Sequence, residues 1–261
     1  MKKKFTNIVC LRTSLILVGI CLLFFGTVSS NMQFGENTSA KKIDPYTPFI
    51  IIDKDGYTNI REQPNAKSKI IGKVYKYQLF FSIDGDFCGS GMYATDNWEP
   101  IQFDRHPEGY IYKKNILRVN RLPFLKLKGE NNFTLSSDSS ATIIIANDSI
   151  QITMRLQSFN KDNHSGFVYG GNSDVFKENI TFGLIKTEIK DIEIVYNGQK
   201  TILPKDRVYK YCDITHMGAV IGFDGEIYLT MGGGGDAAWY GVWFSIVEGE
   251  IVYETMLTNC W

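Results

Sequence analysis

The sequence predicts an all-β protein made of two consecutive antiparallel units, one of five short strands over residues 49–119 and a β-rich second unit over residues 120–261 that could close as a barrel or a sandwich. Three observations carry this. The apolar runs are short, of strand rather than helix length. Ile150, Ile152, Met154 and Leu156 alternate with Gln151, Thr153 and Arg155, the period of a strand with one face buried. Two-residue turn signals, Asn197-Gly198, Asp224-Gly225 and Glu248-Gly249, each stand between two such runs, where type I′ turns need residues that tolerate positive φ.

The chain opens with Lys2, Lys3 and Lys4, an apolar run from Leu15 to Phe25, and small residues from Gly26 to Ser30. This is the layout of a secretory signal peptide over residues 1–30, with Val28 and Ser30 suited to a cleavage site. The rival reading, a retained anchor over residues 13–29, needs about 20 apolar residues to cross a bilayer. The expectation is therefore export to a periplasm or the extracellular space, with the membrane engaged only transiently. Residues 31–48, rich in Asn, Ser, Lys and Thr, read as a flexible linker.

Removing the leader takes four bases (Lys2, Lys3, Lys4, Arg12) and no acid, so 28 basic residues become 24 against 28 acidic ones. The mature chain is mildly acidic and has no basic run interleaved with aromatics, which argues against nucleic acid as a partner. Cys10 and Cys21 leave with the leader, and Cys88, Cys212 and Cys260 remain. An odd count permits one internal bridge at most. In an oxidising compartment Cys212 and Cys260 are the candidate pair, against the alternative of three buried thiols.

In the first unit, Phe49 to Ile52 supply a strand and Asp55-Gly56 a turn. Tyr57, Asn59 and Arg61 then alternate with Thr58 and Ile60 until Pro64 ends the strand. Ile70, Ile71 and Val74, then Leu79 to Ile83, give two more strand segments, and Trp98 to Ile101 with Gly109 to Tyr112 complete the set. The run Asp-Gly-Tyr-Thr-Asn-Ile-Arg at 55–61 and the closing Gly109-Tyr110-Ile111 resemble the bacterial SH3 family over about a quarter of the chain. That resemblance implies a bacterial, SH3-like small barrel that binds peptide or cell-wall material. Residues 87–97 depart from it as an insertion ahead of Trp98, either carrying specificity or simply tolerated.

In the second unit, Lys205 to Ile214 is the one segment with the look of a short helix. Gly232-Gly233-Gly234-Gly235-Asp236 lacks the following helix and nearby Lys of a phosphate-binding loop, so it reads as a hairpin connection or wide bulge. Cys212 and His216 would share a face if that helix reached them, yet Tyr-Cys-Asp does not resemble the pattern of wall-cleaving cysteine peptidases. His106, His164 and His216 stand at no ligand spacing. No metal, cofactor or catalytic constellation is expected.

What remains is aromatic and polar surface chemistry. The candidate ligand-binding residues are Tyr57, Asn59, Arg61, Trp98, Tyr110 and Tyr112 in the first unit and Trp239 and Tyr240 in the second, since flat amphipathic rings lose little entropy on contact. Core packing is the competing role for the rings, and bracing of the fold for Asn59 and Arg61. The functional expectation is an exported, non-enzymatic envelope protein whose first unit recognises peptidoglycan peptide or a protein segment. The alternatives are an exported inhibitor or immunity-type protein that caps a wall- or membrane-attacking enzyme, and an enzyme of unrecognised class.

Overall fold

The computed structural model describes residues 47–84, 90–102, 108–128, 141–164, 168, 185–233 and 240–258. The leader, most of the linker, Cys88, His106, Asp236, Trp239 and Cys260 lie outside the described residues. Asp44–Trp261 forms one compact unit. Its described elements are antiparallel strands joined by turns, with short 3-10 segments and one four-residue helix, so the chain is all-β.

The first half contains β1 (Phe49–Ile51), β2 (Tyr57–Arg61), β3 (Ile70–Tyr75), β4 (Phe81–Ser82), β5 (Trp98–Gln102), β6 (Gly109–Tyr112) and β7 (Ile116–Arg118). Five of these form a sheet in the order β3-β2-β6-β5-β4, while β1 pairs with β7. A bridge between Phe49 and Phe80 connects the two sheets. The whole rolls around Phe49, Ile60, Val74, Phe80, Ile101, Ile111 and Ile116. No ladder runs from β7 back to β3 among the described residues, so the roll is open there. Thr47 is buried and the Pro48 carbonyl accepts from Val119 N–H at 3.0 Å, so the expected linker ends two residues early.

The second half stacks two meanders. One runs β12 (Gln199–Ile202), β11 (Thr187–Tyr196), β10 (Ile150–Ser158), β9 (Ala141–Ala146), β8 (Lys126–Leu127). The other runs β13 (Ile214–Ile221), β14 (Ile227–Gly233), β15 (Tyr240–Val247), β16 (Glu250–Thr258). Both contribute to a single apolar cluster that includes Ile145, Ile152, Met154 and Ile192 from the first sheet and Leu229, Met231, Val242 and Phe244 from the second. Two sheets sharing one core make this half a sandwich rather than a barrel of one continuous sheet. The sheets are stitched together by a bridge between Phe124 and Val220 of β13 and another between Glu188 of β11 and Cys212, two residues before β13.

The expected helix shrinks to α1 (Lys205–Val208). Four residues cannot carry an amphipathic face, and ion pairs of Arg207 and Lys210 with Glu254 hold the segment against edge strand β16 instead. Cys212 therefore does not share a helix face with His216, which lies in β13.

Candidate functional site

Strand alternation places the candidate residues. In β2, Thr58 and Ile60 are buried while Tyr57, Asn59 and Arg61 look outward. The register sets Arg61 opposite Tyr110 and Trp98 opposite Tyr112. Continued by two residues, it sets Asn59 opposite Tyr112. A row of Asn59, Tyr112 and Trp98 thus crosses β2, β6 and β5 on one face.

An open groove of about 520 Å³ lies over this row. Trp98 and Tyr112 form its floor, their ring centroids 5.4 Å apart and tilted by 52°. Pro64, Asn65 and Ala66 form one wall, and Asn97 and Asn115 the other. Arg61 braces the first wall, because its Nη1 donates to the Ser68 carbonyl at 2.6 Å, across the base of the loop that carries Pro64 to Ala66. Asn115 closes one end by donating from Nδ2 to Thr58 Oγ1 at 3.0 Å. Lys113 pins the second wall, its backbone N–H donating to Asn97 O at 2.8 Å and its Nζ to Thr95 O at 2.6 Å.

The groove is electrostatically one-sided. Arg61 is its one charged lining residue among the described residues. Glu99 in β5 points to the opposite, buried side, within 3.6 Å of Lys113 and 3.7 Å of Arg118. Asn59 Oδ1 is buried and has no hydrogen-bond partner. Such an orphaned acceptor costs about 1–3 kcal/mol until a donor reaches it.

The structure therefore brings together Asn59, Arg61, Trp98 and Tyr112, and leaves three other described candidates, Tyr57, Tyr110 and Tyr240, apart. Tyr110 and Tyr57 share the outward face without lining the groove; Tyr57 lies under Lys73 Nζ at 4.0 Å and beside Tyr75. Tyr240 is in the core of the second half, 2 % exposed, stacked on Tyr211 and donating to Cys212 O at 2.6 Å. Trp239 lies outside the described residues. Two of the clustered glycines serve close packing, since a Cβ on Gly232 would fall 1.9 Å from His216 Cε1 and one on Gly233 2.4 Å from Asp213 O. Cys212 is fully buried, with its thiol pKa pushed above the usual range by burial and then by Asp213 and Glu188. Such a thiol is a poor nucleophile.

Sequence reasoning did not find the polar cluster around Glu188. This carboxylate is buried and accepts from Gln157 Nε2 (2.5 Å), Asn163 Nδ2 (2.8 Å) and Asn160 N–H (3.0 Å), with His164 Nε2 at 2.7 Å. The His164 ring is sandwiched between Phe159 and Tyr209, with centroids at 4.8 and 5.3 Å. Burial alone would raise the Glu188 pKa, but these donors hold it below the ordinary glutamate value. The cluster fastens the segment after β10 to β11. Its four partners lie 24 to 31 residues from Glu188 in sequence and match no motif, so only folding reveals it.

No family model, curated protein or solved structure matches this chain.

Proposed function

We propose that the protein is an exported, envelope-associated binding protein whose groove on β2, β6 and β5 holds a peptidoglycan peptide. The observation that carries this reading is that Asn59, Arg61, Trp98 and Tyr112, residues of the motif and its partner strands, line one groove. Two aromatic faces, a rim of amides and one guanidinium are chemistry for holding a polar chain rather than for breaking a bond. The leader-like first 30 residues support export.

The test is retention of the mature chain, residues 31–261, on purified peptidoglycan. Trp98→Ala and Tyr112→Ala are each expected to reduce retention about tenfold or more, since a well-placed aromatic anchor contributes roughly 2 kcal/mol to a contact. Undiminished retention in both variants would remove the groove from the reading. A single stoichiometric protein partner in an envelope extract, without retention on the wall, would replace the reading with that of an inhibitor.

A further inference from the structure

This inference rests on the proposed function and narrows it to one ligand chemistry. We infer that the groove recognises a peptide ending in a free carboxylate, which Arg61 holds, with the preceding residues lying over Tyr112 and Trp98 and a backbone N–H meeting Asn59.

Charge supplies the first argument. Among the described residues the groove lining contains one cation and no carboxylate, so an anionic group is drawn to Arg61. Geometry supplies the second. The Arg61–Ser68 bond at 2.6 Å uses one guanidinium donor and holds the side chain in place. The remaining donors have no partner among the described residues, and the planar fork suits a carboxylate better than a neutral hydroxyl. A guanidinium already fixed by the protein loses less freedom on binding.

The unsatisfied acceptor supplies the third. Asn59 and Arg61 lie two residues apart on the same face of β2, roughly 7 Å along a strand and equal to two residues of an extended chain. A ligand lying along β2 with its carboxylate at Arg61 therefore brings a backbone N–H beside Asn59, one or two residues back. The Asn59 amide turns easily about its last torsion, which is broad for Asn, and this swings the buried, unpartnered Oδ1 towards that N–H. From Asn59 the platform of Tyr112 and Trp98 runs across the sheet rather than along β2, so the ligand's earlier residues turn off the strand onto it, where small or apolar side chains suit the rings.

The experiment is a titration of residues 31–261 followed by tryptophan fluorescence, with three probes: N-acetyl-D-alanyl-D-alanine, its C-terminal amide, and an N-acetylated amino-sugar disaccharide without peptide. The free acid is expected to bind about tenfold more tightly than the amide, with the difference shrinking as salt rises from 50 to 500 mM. Arg61→Gln should abolish the difference between acid and amide while the amide still binds. Asn59→Leu should weaken both and leave their ratio unchanged. Thermal melts by circular dichroism check that each variant folds. Should Arg61→Gln unfold, Arg61→Lys keeps the charge without the fork and is expected to reduce the ratio. Equal binding of acid and amide, or binding of the disaccharide alone, overturns this inference and leaves wall binding standing. Absence of binding by every probe and by intact peptidoglycan overturns both.

Discussion

At the residue scale, Glu188 couples chemistry to stability. A buried carboxylate with four polar neighbours is tolerated because each oxygen is engaged, and removing it would strand donors from Gln157, Asn160, Asn163 and His164. Glu188→Ala is expected to cost about 3 kcal/mol in urea denaturation at pH 7, since each stranded donor costs roughly 1–3 kcal/mol before relaxation. The pH dependence follows from the direction of the shift. Glu188 is held below the ordinary glutamate value of 4.5, so its contribution is complete above that pH and disappears as pH falls through the lower, folded-state value. Stability measured from pH 6 down to pH 3 should decline less steeply in Glu188→Gln than in the parent. An unchanged acid limb in that variant would mean that other carboxylates set it. His164 and Glu188 show why part of this molecule is not legible in the sequence: their elements meet only in the fold, and neither residue stands at a telling spacing. Asn59 and Arg61 are legible for the opposite reason, since both lie on one strand whose period of two assigns their common face.

At the element scale, local turn chemistry predicts well and long-range pairing does not. Asn197 and Glu248 adopt φ of 49° and 51°, each followed by a positive-φ glycine, and these pairs close the β11–β12 and β15–β16 hairpins as expected. Asp224-Gly225 differs: Gly222 N–H donates to Glu226 O at 2.8 Å, so the loop has three residues with Gly225 at the positive φ. The cause is Glu226, whose carboxylate turns back to accept from Asp224 N–H at 2.9 Å and from the Tyr228 hydroxyl at 3.0 Å. Which meanders would form, and that they would share one core, depended on pairings that no local pattern encodes. Gly109 opens β6, and its role becomes visible only in the sheet. A Cβ there would sit 2.6 Å from Ile60 Cγ2 and 2.8 Å from the Arg61 carbonyl oxygen, next to the Arg61–Tyr110 pairing of β2 with β6. Because backbone cannot yield as a side chain can, Gly109→Ala is expected to destabilise the protein by about 1–3 kcal/mol. The same change should loosen the row of Asn59, Tyr112 and Trp98, so under the proposed function peptidoglycan retention should fall together with the melting temperature. Full stability in Gly109→Ala would show that β2 and β6 can separate freely.

At the scale of the whole molecule, the two halves share apolar surface. Ile50, Leu79 and Val119 from the first half are buried with Leu122, Val220 and Tyr228 from the second, and Leu117, Trp243 and Tyr253 pack at the margin. The Lys76–Asp224 ion pair above this seam is exposed on both sides and adds little. Apolar burial of this kind stabilises both partners at once, so neither half should lose it without the other responding. Deleting residues 49–119 would bare Val220, Tyr228 and Trp243, which makes single substitutions in the groove the cleaner probe of binding. Leu79 is 1 % exposed in the seam, and truncating such a side chain costs about 2–5 kcal/mol. In Leu79→Ala, hydrogen exchange read by mass spectrometry should show protection lost across β13 to β16 as well as across β1 to β7, because the second sheet uses the first half as its outer cover. Protection lost only within residues 49–119 would instead mean that the halves unfold independently, leaving the orientation of the groove free of the sandwich behind it.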